Sequence, residues 1–571
     1  MKKILISAAA IIFAVALQAQ TIYDGFTFGR DNYYGTARTI AMGNAVTAVG
    51  SDLGSAAVNP AGPAVAGYSQ FTLTPGVSIT AGNSKYTSSM ESTSEQYSRA
   101  RFEMPNFGVS LRFDTGLRSG LRSFTFGFVA NMTGNYLNED NAFGHDNLTS
   151  MAGSYATVAN LTNMPGDIYK RSDKYSSVNS GLYGWNTIMA YDNKLINYCP
   201  TNPAGRHYFG SNEVPLGGGY GIPGTLAQTI GSTTVGEKRD LTFNFGFNID
   251  NSLYIGLNIG IPSVRYNYLE NYSEAATNLR DFPITPESPE GKDQKTYFKS
   301  ATYSYSYSAT MTGVYGKLGV IWLPNDNLRL GFAIKTPTGY SINESYQSDI
   351  ITRFDDSRQD VAGNPSPLGK YDYRFNSPFE FNVGAAVTLG GCALLSADYE
   401  MTCYNTMRFI DPRNRINPLN QASTFYNVNR ITTIFAGVAH NLRVGAEANI
   451  LPCLAVRLGF NLETSPERYY DRLEGGRVTA GDYLADFDSF ERGVYRLGDM
   501  HKLDEKIFSY SAGLGYISRG AFFADLAVRL ASYPGKAFTP YSDYVPGILS
   551  PTVELGRRNL WDVVMTFGFR F

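Results

Sequence analysis

The sequence predicts an all-β fold: a transmembrane antiparallel β-barrel of about fourteen strands, its lumen plugged by an N-terminal helical hatch. Three features carry that expectation. The chain opens on an export leader; its body is a train of alternating residue runs whose spacers are by turns short and long; and one small-residue stretch ahead of the first run does not alternate at all.

The leader comes first. Lys2 and Lys3 precede an apolar run from Ile4 to Leu17, then Gln18 and Ala19, giving a charged n-region, an h-region and a small residue at a cleavage point. The run is too short to cross a bilayer as a helix. Residues 1–19 therefore read as a signal peptide cut near Ala19 or Gln20, and the mature chain leaves the cytoplasm. Mean hydropathy is only −0.20, which fits a barrel, because its strands alternate apolar with polar residues and keep that average low. The 40 Tyr, 35 Phe and 58 Gly among 571 residues suit aromatic girdles and tight turns.

Residues 20–68 are assigned to the hatch. Between Ile40 and Ala57 nearly every residue is small or apolar, and Gly43, Gly50 and Gly54 permit close approach by other backbone. Asn59, Pro60, Ala61 and Gly62 form a rigid turn that redirects the chain into the first strand. A fourteen-stranded barrel encloses more volume than its own side chains fill. The stretch at 38–62, on the tight-turn side where both termini are expected, folds back to fill it.

Residues 69–571 are assigned to the barrel. Leu241, Phe243, Phe245, Phe247 and Ile249 share one face; after only Asp250, Asn251 and Ser252 comes a run with Leu253, Ile255, Leu257, Ile259 and Ile261 on one face. Strict period 2 means a half-buried strand, and so short a joint means a hairpin. Runs at 71–79, 107–113, 121–131, 241–249, 253–261, 317–322, 328–334, 379–389, 395–403, 442–450, 454–462, 508–516, 522–530 and 560–571 repeat the pattern. Tight turns on one side and long polar connections on the other, the longest at about 136–238, mark a closed outer-membrane barrel. A soluble sandwich would not sort its loops by length.

The face opposite the apolar ladder carries Asn244, Arg329, Lys335, Glu380, Asp398, Glu400, Arg443, Glu447, Arg457, Asp525, Arg529 and Asp562, interleaved with glycine. That is a polar lumen inside an apolar exterior. In the last run Trp561, Val563, Met565, Phe567, Phe569 and Phe571 share a face and the chain stops on an aromatic. This resembles the final strand by which barrel assembly machinery recognises its clients. A barrel buries its own edges, so a monomer in outer-membrane lipid is expected.

Several function classes drop out. A net charge of −2 gives no global case for nucleic acid. Cys199, Cys392, Cys403 and Cys453 are scattered without a CxxC, so mostly unpaired thiols are expected. His145, His207, His440 and His501 lie in no HExxH or GxSxG setting, so no catalytic residue, metal or cofactor is assigned and the chain is not read as an enzyme. Asp398 and Glu400 pair more simply with lumen cations.

Gly43, Asn44 and Ala45, then Asp52, then Asn59, Pro60, Ala61 and Gly62 form an ordered set. It resembles the hatch pattern of the FadL/TodX outer-membrane transporters of long-chain fatty acids and other hydrophobic compounds, and the segments at 317–338, 379–387 and 442–466 look like that family's hairpins. The resemblance spans nearly the whole mature chain. It implies passive uptake of a hydrophobic small molecule through a loop groove, a lumen pocket and a moving hatch, with a strand distortion opening the wall sideways. The groove is expected in the long loop, around Tyr183, Trp185, Met189 and Tyr191. The strand at 124–133 is a candidate for the distortion, because it runs past Gly134 into that loop and Gly127 weakens its pairing. A general porin, or a surface adhesin or structural outer-membrane protein, is the alternative.

Overall fold

The computed structural model describes residues 21–571 apart from 201–206, 217–218, 285–295, 358–359, 362–363, 414–416 and 542–549. The signal peptide expected at 1–19 lies outside the described residues. Fourteen wall strands form an antiparallel ring. They are β1 (Gln70–Thr87), β2 (Ser92–Asp114), β3 (Leu121–Asn135, resumed at Asn138–Asp146), β4 (Leu226–Ile249), β5 (Leu253–Ala276), β6 (Thr296–Trp322) and β7 (Leu328–Lys335, resumed at Gly339–Phe354). There follow β8 (Gly369–Asn376, resumed at Phe379–Leu389), β9 (Ala393–Cys403), β10 (Val438–Leu451), β11 (Leu454–Thr464), β12 (Lys506–Ile517), β13 (Phe522–Tyr533) and β14 (Thr552–Leu555, resumed at Arg558–Arg570). The ring closes where β1 pairs with β14, Phe71 opposite Phe569 and Ala81 opposite Asn559.

Alternation orients the wall. Leu458 is 59% exposed whereas its neighbour Arg457 is 4% exposed; in water that would be inverted, so the apolar outside is a lipid face. Trp322, Tyr516 and the stacked pair Phe113 and Phe124 place aromatics beside the tight turns. Among the described residues no helix is long and apolar enough to cross a membrane.

The strands outrun the alternating apolar patterns by up to 21 residues at one end, as in β6, which begins at Thr296 rather than 317. Above the apolar band the outer face turns polar. The inner face becomes tyrosine-rich, with Tyr303, Tyr305 and Tyr307 on β6 packing beside Tyr272, Tyr268 and Tyr266 of β5. The long connection accordingly narrows to 147–225. It holds α3 (Met151–Leu161), α4 (Ser177–Tyr183) and α5 (Trp185–Asp192).

Before the wall come α1 (Ile22–Gly29) and α2 (Ala37–Ala41), with 3-10 turns at Leu53–Ala57 and Pro63–Val65. The expectation that both termini fall on the tight-turn side holds for the C-terminus, where Phe571 and Ser69 exchange backbone hydrogen bonds of 3.0 Å. It fails for the N-terminal segment. There α1 sits in the long-loop half of the lumen, where its apolar side is buried, with Ile22 and Phe28 in one apolar cluster with Met407, Phe409 and Phe425.

Candidate functional site

The hatch fills the lumen on the tight-turn side. Its backbone reaches the wall because the wall offers glycine: a Cβ at Gly256, Gly331 or Gly459 would collide with backbone of Pro60, Thr47 or Gly43. These glycines are paired across strands, Gly246 with Gly256, Gly256 with Gly319, Gly331 with Gly384 and Gly445 with Gly459. The result is a belt shaped to accept backbone, legible in the sequence as the glycines of the polar face.

The motif residues clip hatch to wall. Asn59 Nδ2 donates to Thr47 O at 2.7 Å within the hatch and to Val320 O of β6 at 3.1 Å, while its Oδ1 accepts from the Ala61 N–H at 3.0 Å. Pro60 O accepts from Asn244 at 2.7 Å and Ala45 O from Ser396 at 2.7 Å. Asp52 accepts from Thr36 Oγ1 at 2.6 Å and Gly54 N–H at 2.7 Å. Gly43 and Asn44 both have left-handed backbone, φ +62° and +61°, and Asn44 donates to Tyr33 O at 2.9 Å. The Gly62 carbonyl accepts from Ser51 N–H at 2.9 Å.

Buried charges pin the same contact. Asp31 lies between Lys238 and Lys335, and Lys335 also reaches Glu380 at 3.0 Å. Arg38 meets Glu447 at 2.8 Å, which Arg457 shares at 2.6 Å, and Arg30 meets Glu463 at 2.6 Å. Glu400 pairs with Arg443 at 2.5 Å, the cation expected of a lumen carboxylate, whereas Asp398 departs from that expectation and accepts from the hatch backbone, Thr47 N–H at 2.7 Å. Removing one member of such a set strands a charge at low dielectric.

Above the hatch the wall has a lateral gap. β3 is laddered to β2 only from Asn106 opposite Asn131 down to Asp114 opposite Ser123. From the last rungs of that ladder upward every residue from Val129 to Asn135 is buried and alternation ceases, as β3 bends into the lumen with protein on both faces. Its freed edge accepts instead from the hatch, Tyr34 N–H to Met132 O and Asn32 N–H to Thr133 O, both 2.9 Å. Gly127 stays in register between Ser110 and Asn244 and does not weaken the pairing. The distortion begins beyond it, in the top of the strand at 124–133. Side chains alone seal the gap: Arg101 donates to Gly236 O at 3.0 Å and Asn135 Oδ1 at 3.3 Å, Tyr97 to Asp140 at 3.0 Å, and Asn141 to Glu95 at 3.0 Å.

A cavity of about 420 Å³ adjoins that gap. Phe26, Thr27, Arg30 and Asn32 close it below, Asn135, Tyr136 and Asn138 of the bent strand border it, and Tyr97, Tyr266, Tyr404, Tyr533 and Arg558 line its wall together with the charged Asp140, Glu467, Glu505 and Lys536. The volume suits a small-molecule ligand, for which pockets run about 300–1,000 Å³. Sequence reasoning missed these residues, which lie on separate strands without a motif; the period-2 tyrosines above the membrane band were the available signal. Burial pushes the Asp24 carboxyl on α1 up to about 6 although Thr21 N–H donates to it at 2.7 Å. Burial also raises that of Glu467, which accepts from Tyr23 at 3.0 Å.

None of the hatch motif residues lines this cavity, nor do Tyr183, Trp185, Met189 or Tyr191. Met189 is fully buried in the core of the long loop, Tyr183 and Tyr191 pack against that core, and Trp185 rests on Tyr175 with ring centroids 5.6 Å apart. Cys392, Cys403 and Cys453 are free thiols. Among the described residues no group of three His, Cys, Asp or Glu side chains could hold a metal.

The architecture is a hatch-plugged transmembrane barrel. No family model and no curated protein matches the sequence. Solved structures to which the chain is similar include the Pseudomonas putida toluene transporter TodX, at 11% identity and TM-score 0.44, covering 95% of this chain and 99% of that one. They also include a Pseudomonas aeruginosa FadL homologue, at 11% identity and TM-score 0.46 over 95% and 98%, and the CymD monoaromatic hydrocarbon channel, at 10% identity and TM-score 0.42 over 95% and 99%.

Proposed function

We propose that this chain is an outer-membrane channel for the passive uptake of hydrophobic molecules, long-chain fatty acids among them. The observation that carries the reading is the pairing of a hatch-sealed lumen with a cavity that abuts a gap in the wall. A solute entering from the long-loop side meets the hatch, so a through-flow porin is disfavoured. Tyr183, Trp185 and Tyr191 on the long loop give a first adsorption surface over Met189. The cavity then holds the ligand, and each methylene removed from water contributes about 0.8 kcal/mol. Exit runs sideways between β2 and β3 or past the hatch, with the clips at Gly43, Asn44, Ala45, Asp52 and 59–62 resisting the second route. The signal peptide delivers the chain, the aromatic end of β14 presents it to the assembly machinery, and the closed ring leaves it monomeric.

The test combines native mass spectrometry of protein extracted in a detergent unlike lipid with single-channel recording in a planar bilayer. A co-purifying acyl or aromatic ligand and negligible conductance are expected. A steady open conductance without ligand would move the protein to the porin class. Loop-dependent binding to a macromolecule without uptake would move it to the adhesins.

A further inference from the structure

Outside the lumen, the upper rim of the lipid face carries a registered row of cations. Asn441 stands opposite Glu463, so the next pair up is His440 and Thr464, and the His440 N–H donates to Thr464 Oγ1 at 3.0 Å. Thr464 stands opposite Lys506. On the next strands Tyr533 faces Arg558, and Arg557, one residue further, donates to Ser532 O at 2.9 Å and Lys506 O at 3.1 Å. Lys502 joins from the adjoining loop, its Nζ at 3.0 Å from both Thr464 Oγ1 and Val438 O. The three cations, Lys502, Lys506 and Arg557, are exposed.

Directly below lies the apolar band, with Leu442 45% exposed and the Phe508 ring under the Arg557 guanidinium at 5.6 Å. Among the described residues one carboxylate answers the row: Asp504 pairs with Lys506 at 2.9 Å and is itself largely exposed. Among the described residues Lys502 and Arg557 bond carbonyl and hydroxyl oxygens and no carboxylate, which leaves their charges uncompensated at the level where lipid tails give way to headgroups.

We propose that this row is a docking site for a phosphorylated glycolipid of the outer leaflet, its acyl chains on the band over β10–β13 and its phosphate against Lys502, Lys506 and Arg557. The occupant follows from the place and the charge. Acyl chains require the apolar band, an anionic head requires the row, and the long-loop side faces the outer leaflet; this last step rests on the outer-membrane reading above. The site is separate from the lumen, so docking does not enter the uptake path.

The test is titration of the purified full chain with bisphosphorylated lipid A and with the same lipid dephosphorylated, followed by native mass spectrometry. The intact protein should prefer the phosphorylated form, and Lys502→Gln with Lys506→Gln and Arg557→Gln should remove the preference. At about fivefold per basic side chain near an anionic surface, the triple change should cost roughly a hundredfold. Because Arg557 also ties strand carbonyls, Lys502→Gln alone, with barrel integrity checked by heat-modifiable gel mobility, gives a second reading of about fivefold. Equal affinity of the intact protein for both lipids, or an unchanged preference in a folded triple variant, would overturn the proposal. Uptake of a hydrophobic ligand measured on the same preparations separates the two readings: its loss in the intact protein condemns the channel, and its retention without lipid preference condemns only the docking site.

Discussion

Replacing Gly43 with leucine probes whether the hatch is held by backbone contact. Gly43 has φ +62°, a conformation costing an L-residue about 1–2 kcal/mol. The new Cβ would lie 2.8 Å from Phe460 N and 3.0 Å from Phe460 O. Those atoms belong to the β11 ladder and cannot retreat without breaking it, so overpacking adds about 1–3 kcal/mol. Together about 2–5 kcal/mol falls on the docked hatch and little on the wall, whose ladder bonds are untouched. At 1.4 kcal/mol per decade the undocked fraction should rise from thirtyfold to several thousandfold, roughly. Planar-bilayer recording should show open events absent from the parent, and proteases should cut within 38–62, while gel mobility stays that of a folded barrel. A Gly43→Leu protein that remained as closed and as protected as the parent would refute the reasoning.

Asp31→Ala leaves Lys238 and Lys335 facing each other, with Lys335 alone still paired to Glu380; loss of a buried partner costs about 3–5 kcal/mol, and the variant should leak current at unchanged barrel stability. Arg101→Met removes the side chain joining β2, β3 and β4 where the ladder ends, about 1.5–3 kcal/mol of charged hydrogen bonding, and should speed ligand transfer into liposomes; an unchanged rate would close the lateral route. Asp24 titrates about 6 when docked against an ordinary 3.8. The docked state then binds more protons, so docking of α1 weakens as pH rises from 4 towards 6 and is level above. A spin label at Thr27→Cys should report greater mobility at pH 8 than at pH 4, and Asp24→Asn should flatten the profile.

The membrane portion of the barrel was legible because lipid imposes strict alternation. Leu241 to Ile249 must face tails and lumen by turns, and each such run lies within a wall strand. Above the band that constraint lapses, and Thr296 to Gly316 of β6 carried tyrosine and serine that periodicity alone left as loop. Gly43 and Asn59 announced a hatch through their residue types, since left-handed backbone and a self-capping turn are local properties.

What the sequence by itself determined was therefore the transmembrane barrel, its polar lumen and the plug that fills it, all set by interactions near in the chain or by the solvent on each face. Only the tertiary structure decided where β3 parts from β2, that α1 climbs to the loop side of the lumen, and that Tyr97, Tyr136, Tyr404 and Arg558 meet around one cavity. Those outcomes depend on contacts between residues hundreds of positions apart, which no local pattern encodes and only closure of the ring brings together.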